Sequence, residues 1–191
     1  MTRNKKVIGI TGGSGCGKSY ISEILRRNGI PVIDADKTAH EVMDPGTPCC
    51  REIIDFFGCG IEENGGINRK KLGKIVFSDP NMLKKLNEIS HKYILESIEN
   101  KIEHENAEIV CVDGAVLIES GMKCDMMIGV IADFAVRRKR ITARDSISEE
   151  AADMRIHAQP SEDFYRKNCD FIIYNDGRPL DINKILKRIK E

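Results

Sequence analysis

The feature that most constrains this chain is a glycine-rich stretch close to its start. An apolar run, Val7–Ile10, leads into Gly12–Ser19, which matches the pattern G-x-x-x-x-G-K-[ST] in full. Glycines in such a loop allow backbone conformations that a Cβ forbids, so successive N–H groups can point at phosphate oxygens. A helix predicted over residues 19–28 brings its positive N-terminal end to the same anion. The stretch predicts a nucleoside triphosphate site, and a chance glycine-rich turn is the weaker interpretation.

The residues of this loop have separate predicted tasks. Lys18 is placed to reach the β- and γ-phosphates, and the Ser19 hydroxyl to ligate Mg²⁺. The residues expected to bind the nucleotide are Gly13, Ser14, Gly15, Cys16, Gly17, Lys18, Ser19 and Tyr20.

A second strand is predicted directly after the first helix. Gly29 supplies a helix stop, and Ile30–Asp34 is a mostly apolar run with a proline near its entry. A strand, a helix and a second strand in this order are typical of a βαβ unit with parallel strands. Because ligands of open parallel sheets bind outside the carboxyl ends of the strands, Asp34 and Asp36 are expected to face the phosphate loop.

The pattern from residue 37 to residue 106 is mostly helical. Asp79 and Pro80 form a plausible N-cap and first helical position. After them, apolar residues recur every three to four positions as far as Ile102, which predicts one long helix. Such an insertion between two core strands is where a nucleotide kinase can bind its acceptor substrate.

Three more strands are predicted in the second half of the chain. They cover residues 107–113, 126–132 and 171–175, and a closing helix capped by Asp181 follows. The first of them ends in Asp113, which either supports the magnesium shell or caps a turn. Together these elements predict an α/β fold with a five-stranded parallel sheet.

The strongest local charge lies between the fourth and fifth predicted strands. Arg137, Arg140 and Arg144 recur at three- and four-residue spacing and therefore share a helix face. Arg155 follows on a second helix, for which Ser148 is the predicted cap. A basic run is often only a solvated surface. After a sheet strand in a phosphate-loop protein, this one favours a lid whose arginines close over transferring phosphate.

Bulk composition limits the possible partners. Lys plus Arg and Asp plus Glu both number 30, so no net field attracts nucleic acid or an anionic membrane. No apolar run approaches the roughly 20 residues that span a bilayer. Seven scattered cysteines include no C-x-x-C pair, which favours reduced thiols in a cytoplasmic protein without a metal scaffold. A monomer or weak homo-oligomer is expected.

Beyond the loop, several segments resemble the dephospho-coenzyme A kinase family of P-loop nucleotide kinases over essentially the whole chain. The loop alone is unspecific, whereas its combination with Asp34–Asp36 and the Arg140 to Gln159 series is far more specific. The chain departs from the family pattern at Tyr20, Asn68, Lys92 and Gly114–Val116. The matching segments are Thr11–Ser19, Val32–Asp36, Ala39–Val42, Pro45–Gly46, Asn68–Leu72, Val76–Phe77, His91, Asp113 with Leu117 and Glu119, Arg140 with Arg144, Arg155 with Gln159, and Asn175–Gly177.

The resemblance implies an ATP- and Mg²⁺-dependent kinase that phosphorylates the ribose 3′-hydroxyl of dephospho-coenzyme A, the last step of coenzyme A biosynthesis. Asp36 is expected to orient the hydroxyl and accept its proton, with Asp34 as the alternative. Arg69 and His91 are candidate acceptor contacts, although a structural role for His91 is equally open. The expected catalytic residues are Asp36, Lys18, Arg140, Arg144 and Asp34; the expected substrate contacts are Asp34, Asp36, Arg69, His91 and Asp113; the expected metal ligands are Ser19 and Asp113.

The expected architecture is a P-loop NTPase-type three-layer fold with a helical substrate-binding insertion and a small helical lid. The core is assigned to residues 1–36, 107–132 and 168–191, the acceptor-binding insertion to 37–106 and the lid to 133–167. A kinase for another small hydroxyl acceptor, such as a nucleoside, and a non-catalytic nucleotide switch are the alternatives. A GTPase switch requires a guanine-reading N-K-x-D sequence, which the chain lacks.

Overall fold

The computed structural model describes residues 5–191, and it divides into two compact units. The first unit contains the residues up to Ile33 together with Glu105–Glu191, and the second contains Asp34–His104. The strands are β1 (Lys6–Thr11), β2 (Val32–Asp34), β3 (Glu62–Glu63), β4 (Gly66–Ile67), β5 (Ile109–Asp113), β6 (Met126–Ile131) and β7 (Phe171–Tyr174). The helices are α1 (Lys18–Arg27), α2 (Ala35–Glu41), α3 (Pro48–Phe57), α4 (Arg69–Ser78), α5 (Pro80–His104), α6 (Phe134–Asp145), α7 (Glu149–His157), α8 (Glu162–Asn168) and α9 (Ile182–Lys190).

The first unit is built on a five-stranded sheet with the order β2-β5-β1-β6-β7. β1 lies in the middle and pairs in parallel with β5 and with β6, so that Ile8 lies between Cys111 and Met126. Strands that are covered on both faces are apolar throughout, and every residue of β6 is buried. The predicted α/β fold with a five-stranded parallel sheet is confirmed. The phosphate loop follows the central strand.

Helix ends in the first unit match the predicted signals. Gly29 follows the last turn of α1 with a φ of +78°, the left-handed conformation that glycine adopts without strain. The Ser148 hydroxyl accepts a hydrogen bond from the Ala151 N–H at the start of α7, and Asp181 caps α9 in the same way. The β2 strand starts at Val32 and not at Ile30, although the carbonyl of Pro31 already accepts from the Cys111 N–H.

Helices α6 and α7, with the turn that continues to Gln159, form a segment that we call the arm. Its two helices pack together through Ile141, Ala152 and Ile156, which form their own apolar cluster. Ile141 and Ala152 are fully buried in this contact. The arm is therefore an ordered helical pair with its own small core.

The second unit consists of α2–α5 and a two-stranded hairpin, with a core that includes Ile53, Leu72 and Ile89. Asp79 accepts from the Asn81 N–H at the start of α5, as predicted. The hairpin of β3 and β4 was not predicted, although its turn, Asn64–Gly65, has positive φ at both residues. That dipeptide is the preferred sequence of a two-residue hairpin turn, so the missed signal was present in the sequence.

Within residues 5–191, no helix combines the length and apolar character that crossing a membrane requires. None of the seven cysteines forms a disulfide. Cys16, Cys49, Cys50 and Cys111 are buried, where a thiol packs as a small apolar group.

Candidate nucleotide and acceptor sites

The phosphate loop takes its shape from three glycines with positive φ. Gly12, Gly15 and Gly17 have φ of +149°, +75° and +92°. A Cβ on Gly12 would lie 2.2 Å from the carbonyl oxygen of Val130 in β6, so this close approach of β6 is a second reason for a glycine at position 12. Gly17 stands at the N-cap position of α1 without a side-chain cap, which leaves the first N–H groups of that helix directed at the loop.

Lys18 begins α1, and its ammonium folds back over the loop. The Nζ atom donates a 2.8 Å hydrogen bond to the carbonyl oxygen of Gly12, the first residue of the loop. Ser19 and Tyr20 follow and are exposed. Between the glycines, Cys16 is buried, and desolvation raises the pKa of its thiol above the ordinary value, although Lys18 acts in the opposite direction. Cys16 therefore contributes packing and its backbone.

Arg140 braces the loop from the arm side. Its Nη1 donates to the carbonyl oxygens of Gly15 at 3.1 Å, Cys16 at 3.3 Å and Asn175 at 2.9 Å. The buried Asn175 side chain adds a 2.9 Å bond from Nδ2 to the same Cys16 carbonyl. A Cβ on Gly17 would lie 2.0 Å from that Nδ2 atom. The loop is held between the arm and the segment that follows β7.

A second brace holds Ser14. Arg137 donates from Nε to the Ser14 carbonyl at 2.9 Å and from Nη2 to Gln159 Oε1 at 2.7 Å. The same Gln159 oxygen accepts from the Ser14 N–H at 2.9 Å. Two residues of the arm thus contact one residue of the loop.

The remaining arginines of the arm bind acidic side chains of the arm itself. Arg144 makes a two-point contact with the Asp145 carboxylate at 2.8 and 2.9 Å, and Arg155 also donates to it. These bonds, with that from Arg144 the largest contribution, lower the pKa of Asp145 to about 2. Arg138 pairs with Glu149. Of the helix face predicted for three arginines, Arg137 and Arg140 contact the loop, whereas Arg144 contacts Asp145.

Asp113 lies at the carboxyl end of β5 and contacts the phosphate-loop helix. Its Oδ2 accepts a 2.6 Å hydrogen bond from the hydroxyl of Ser22, which is buried. Ser22 lies three residues after Ser19 on α1, so the two hydroxyls occupy the same helix face. No group of three or more His, Cys, Asp or Glu side chains able to hold a metal occurs within residues 5–191. Mg²⁺ in a kinase needs only one or two protein ligands beside phosphates and water, so this donor set fits it.

In the second unit, Asp34 and Asp36 have different surroundings. The Asp34 carboxylate is the N-cap of α2 and accepts a 2.8 Å bond from the Lys37 N–H. Asp36 lies in the first turn of that helix and is exposed. The Asp34 carboxylate therefore has a structural task as the cap of α2. The Asp36 carboxylate shows no such task in the described part of the chain.

Arg69 and His91, the predicted acceptor contacts, have different surroundings. Arg69 is exposed and contacts His40, while His91 is half-buried on α5. Asn68, which departs from the family pattern, caps α4 by accepting from the Lys71 N–H at 2.9 Å, a task that Asn and Asp perform equally well. Lys92, another departure, is exposed and pairs with Glu52.

A cavity of about 460 Å³ opens among α2, α3 and α5. Neither Arg69 nor His91 lines it. Lys101 on its wall donates to the Thr38 hydroxyl and to Glu41. The lining residues are Glu41, Val42, Thr47, Pro48, Cys49, Tyr93, Glu96, Ser97, Asn100, Lys101 and His104.

Four residues that contact the loop or Asp113 were not among the predicted site residues: Arg137, Gln159, Asn175 and Ser22. Arg137 was recognised as part of the basic face of the expected lid but was not among the expected catalytic residues. Gln159 and Asn175 lie in segments that carry the family resemblance, which is the signal that could have selected them. Ser22 had the weaker signal of lying one helical turn after Ser19.

With this geometry established, comparisons with known proteins identify relatives over nearly the whole chain. A protein-family model described as dephospho-CoA kinase matches residues 6–181. A dephospho-CoA kinase from Fusobacterium nucleatum is 37% identical over 188 residues, covering 97% of each chain. The crystal structure of TT1252 from Thermus thermophilus has a TM-score of 0.85 and 29% identity, covering 98% of this chain and 97% of that one. A dephospho-CoA kinase from Campylobacter jejuni has a TM-score of 0.61 and 28% identity, covering 98% of both chains.

Proposed function

This chain belongs to the dephospho-CoA kinase family, and we propose that it transfers the γ-phosphoryl group of ATP to the ribose 3′-hydroxyl of dephospho-CoA, the last step of coenzyme A biosynthesis. It is an ATP-dependent kinase, and neither a nucleoside kinase nor a non-catalytic switch is favoured. The observation that carries the assignment is the family match over residues 6–181, which includes the intact loop around Lys18. Phosphoryl transfer needs positioning and charge stabilisation more than covalent chemistry, and the loop offers both.

We assign nucleotide binding to Gly13–Tyr20. The N–H groups at the start of α1, and those loop N–H groups that do not already donate to the protein as that of Ser14 does to Gln159, bind the phosphates. Lys18 neutralises charge on the β- and γ-phosphates. Ser19 and Asp113 would hold Mg²⁺, which supplies charge neutralisation on the phosphate oxygens when it is bound. The Ser22–Asp113 hydrogen bond supports this assignment, because it fixes the carboxylate against the helix that carries Ser19.

Asp36 is the proposed group that orients the attacking hydroxyl and accepts its proton. A general base needs a carboxylate oxygen available to the substrate, and the N-cap bond already engages Asp34. In this proposal, Asp34 contributes to the acceptor site mainly by fixing the start of α2. It remains the alternative candidate for the base.

We propose that Arg140 and Arg144 offset the charge that develops on the transferred group. Arg140 is already against the loop carbonyls, while Arg144 would have to leave Asp145 to reach a phosphate. Arg69 and His91 are proposed acceptor contacts, the former through its exposed guanidinium.

The division of tasks along the chain follows from these assignments. Residues 1–36, 107–132 and 168–191 form the proposed nucleotide-binding core, residues 37–106 the acceptor-binding insertion and residues 133–167 the lid.

We propose a cytoplasmic enzyme that acts as a monomer or weak homo-oligomer on two small-molecule substrates. Light scattering after size exclusion tests the oligomeric state.

The decisive experiment is an acceptor comparison. Purified protein with ATP and Mg²⁺ should convert dephospho-CoA to a product that carries one more phosphate, identified as coenzyme A by mass spectrometry. Parallel reactions with nucleosides, and with no acceptor, serve as controls for ADP formation. Turnover of nucleosides together with none of dephospho-CoA would refute the proposal.

A further inference from the structure

Every polar group of Ser14 in the phosphate loop has a partner on the arm. All three of its polar groups are bound by the arm: the N–H donates to Gln159 Oε1 at 2.9 Å, and the carbonyl accepts from Arg137 Nε at 2.9 Å. The hydroxyl accepts from Gln159 Nε2 at 3.0 Å. A Cβ on Gly13 would lie 2.4 Å from Arg137 Nη2, so the glycine before Ser14 lets the guanidinium approach the backbone.

The two side chains that hold Ser14 are also fixed to each other and to their helices. Arg137 Nη2 donates to Gln159 Oε1 at 2.7 Å, so this one oxygen receives two donors. The N–H of Gln159 donates to the carbonyl of Ile156, the buried α7 residue of the arm cluster. Displacing the arm would therefore break bonds to Ser14, and displacing the Ser14 turn would break bonds to the arm.

We infer that Gln159, acting with Arg137, is a positioning residue that holds the Ser14 turn of the phosphate loop in its ATP-binding shape and couples that loop to the arm. Gln159 suits this task because a single amide group both accepts from a backbone N–H and donates to a hydroxyl of the same residue. The inference rests on the proposed use of the loop as the ATP site.

The test compares Gln159→Met with wild type, because methionine keeps the length of the side chain and removes its hydrogen bonds. Calorimetric titration with ATP and Mg²⁺, without any acceptor, should show a dissociation constant raised about tenfold, the effect of one to two ordinary hydrogen bonds. The KM for dephospho-CoA should stay within about twofold, because only nucleotide positioning changes. Met154→Ala, at an exposed position of α7, should bind ATP like wild type.

A double-mutant cycle distinguishes positioning from a general loss of stability. Ser14→Ala removes the hydroxyl that Gln159 contacts, so it should weaken ATP binding by about threefold in the wild-type background and have no further effect in Gln159→Met. Unchanged ATP affinity in Gln159→Met, or additive effects in the cycle, would overturn the inference.

A measurement on the unaltered protein decides the matter if Gln159→Met does not fold. The Ser14 amide should exchange its hydrogen slowly in the ATP-free protein, because Gln159 Oε1 accepts it. Rapid exchange of that amide would also overturn the inference. Wild-type protein that neither binds ATP nor phosphorylates dephospho-CoA would instead show that the proposed function is wrong.

Discussion

The Nδ2 atom of Asn175 lies 2.9 Å from the carbonyl oxygen of Cys16, 159 residues earlier in the chain. Asn175 follows the edge strand β7, and its N–H donates to the carbonyl of Ile131 on the neighbouring strand. The sheet therefore holds the backbone of Asn175 in place, and its side chain extends from there to the phosphate loop. Asn175 thus anchors the loop to the sheet.

Replacing Asn175 by alanine should destabilise the protein and weaken ATP binding. The Cys16 carbonyl would lose one of its two hydrogen bonds and keep that from Arg140, so the free energy of unfolding should fall by about 0.5–1.5 kcal/mol. Urea unfolding and nucleotide titration measure the two effects. Asn168→Ala is the matched control, because this exposed asparagine also binds a backbone carbonyl, that of Phe164, but lies away from the loop. Equal losses in the two variants would contradict the special role of Asn175.

Lys18→Ala should impair phosphate positioning and transfer together. The ammonium that lies against the Gly12 carbonyl is the proposed partner of the β- and γ-phosphates, and its loss removes charge stabilisation of roughly 10²–10³ in turnover. Steady-state rates and ATP titration should both change, while the exposed Lys167→Ala stays close to wild type in both. Normal turnover in Lys18→Ala would remove this residue from the mechanism.

Asp36→Asn should keep ATP affinity nearly intact and lower turnover by roughly 10²–10⁴, the usual contribution of a positioned acid or base. Asp34→Asn is an informative comparison, because asparagine caps a helix as well as aspartate does and should preserve α2. The measurement is kcat at saturating ATP and dephospho-CoA. If Asp34→Asn shows the larger loss, the base is Asp34; if both rates stay within a few-fold of wild type, water takes the proton.

Arg140→Ala and Arg144→Ala should each lower kcat by at least about tenfold, because contacts to the transferring phosphate strengthen in the transition state. Lysine at either position should restore only part of the rate, since it keeps the positive charge but lacks the planar guanidinium that can donate two parallel hydrogen bonds. Arg138→Ala should be nearly silent, because this arginine pairs with Glu149 on the arm surface. If all three alanine variants fold and keep wild-type turnover, Arg140 and Arg144 do not act on the transferred phosphate.

The pH dependence of stability should reveal the cluster around Asp145. Its pKa falls from the ordinary 3.8 to about 2 in the folded protein, so the unfolded chain binds the proton more readily. The stabilisation is therefore complete above pH 3.8 and is lost as the pH falls toward 2. Urea unfolding of wild type and Asp145→Asn should give a difference that shrinks over this interval. A difference that stays constant with pH would contradict the ion-pair origin.

Local elements of this fold could be predicted because their causes lie within a few residues. The apolar run before Gly12, the glycines of the loop and the caps Ser148 and Asp181 act over one turn of chain, and the structure contains each of them. The hairpin at Asn64–Gly65 had an equally local signal and could have been predicted as well.

The tasks of individual arginines had no such local signal. Helical spacing placed Arg137, Arg140 and Arg144 on one face, but a shared face does not determine which side chain meets which partner. Asp145, the immediate neighbour of Arg144, binds that guanidinium, whereas Arg140 reaches carbonyls more than a hundred residues away in the chain.

The sequence by itself therefore determined the phosphate loop and the parallel α/β sheet, because periodicity, glycine placement and motif spacing are properties of the chain alone. Its resemblance to the dephospho-CoA kinase family likewise needed no structure. Only the tertiary structure decided that Gln159 and Arg137 hold Ser14 and that Asn175 supports Cys16. Those contacts depend on β6 lying beside β1 and β7 lying beside β6 in the sheet, which brings the arm and the segment after β7 to the loop. Hydrogen bonds between such distant residues exist only once the packing of the whole unit has fixed their separation.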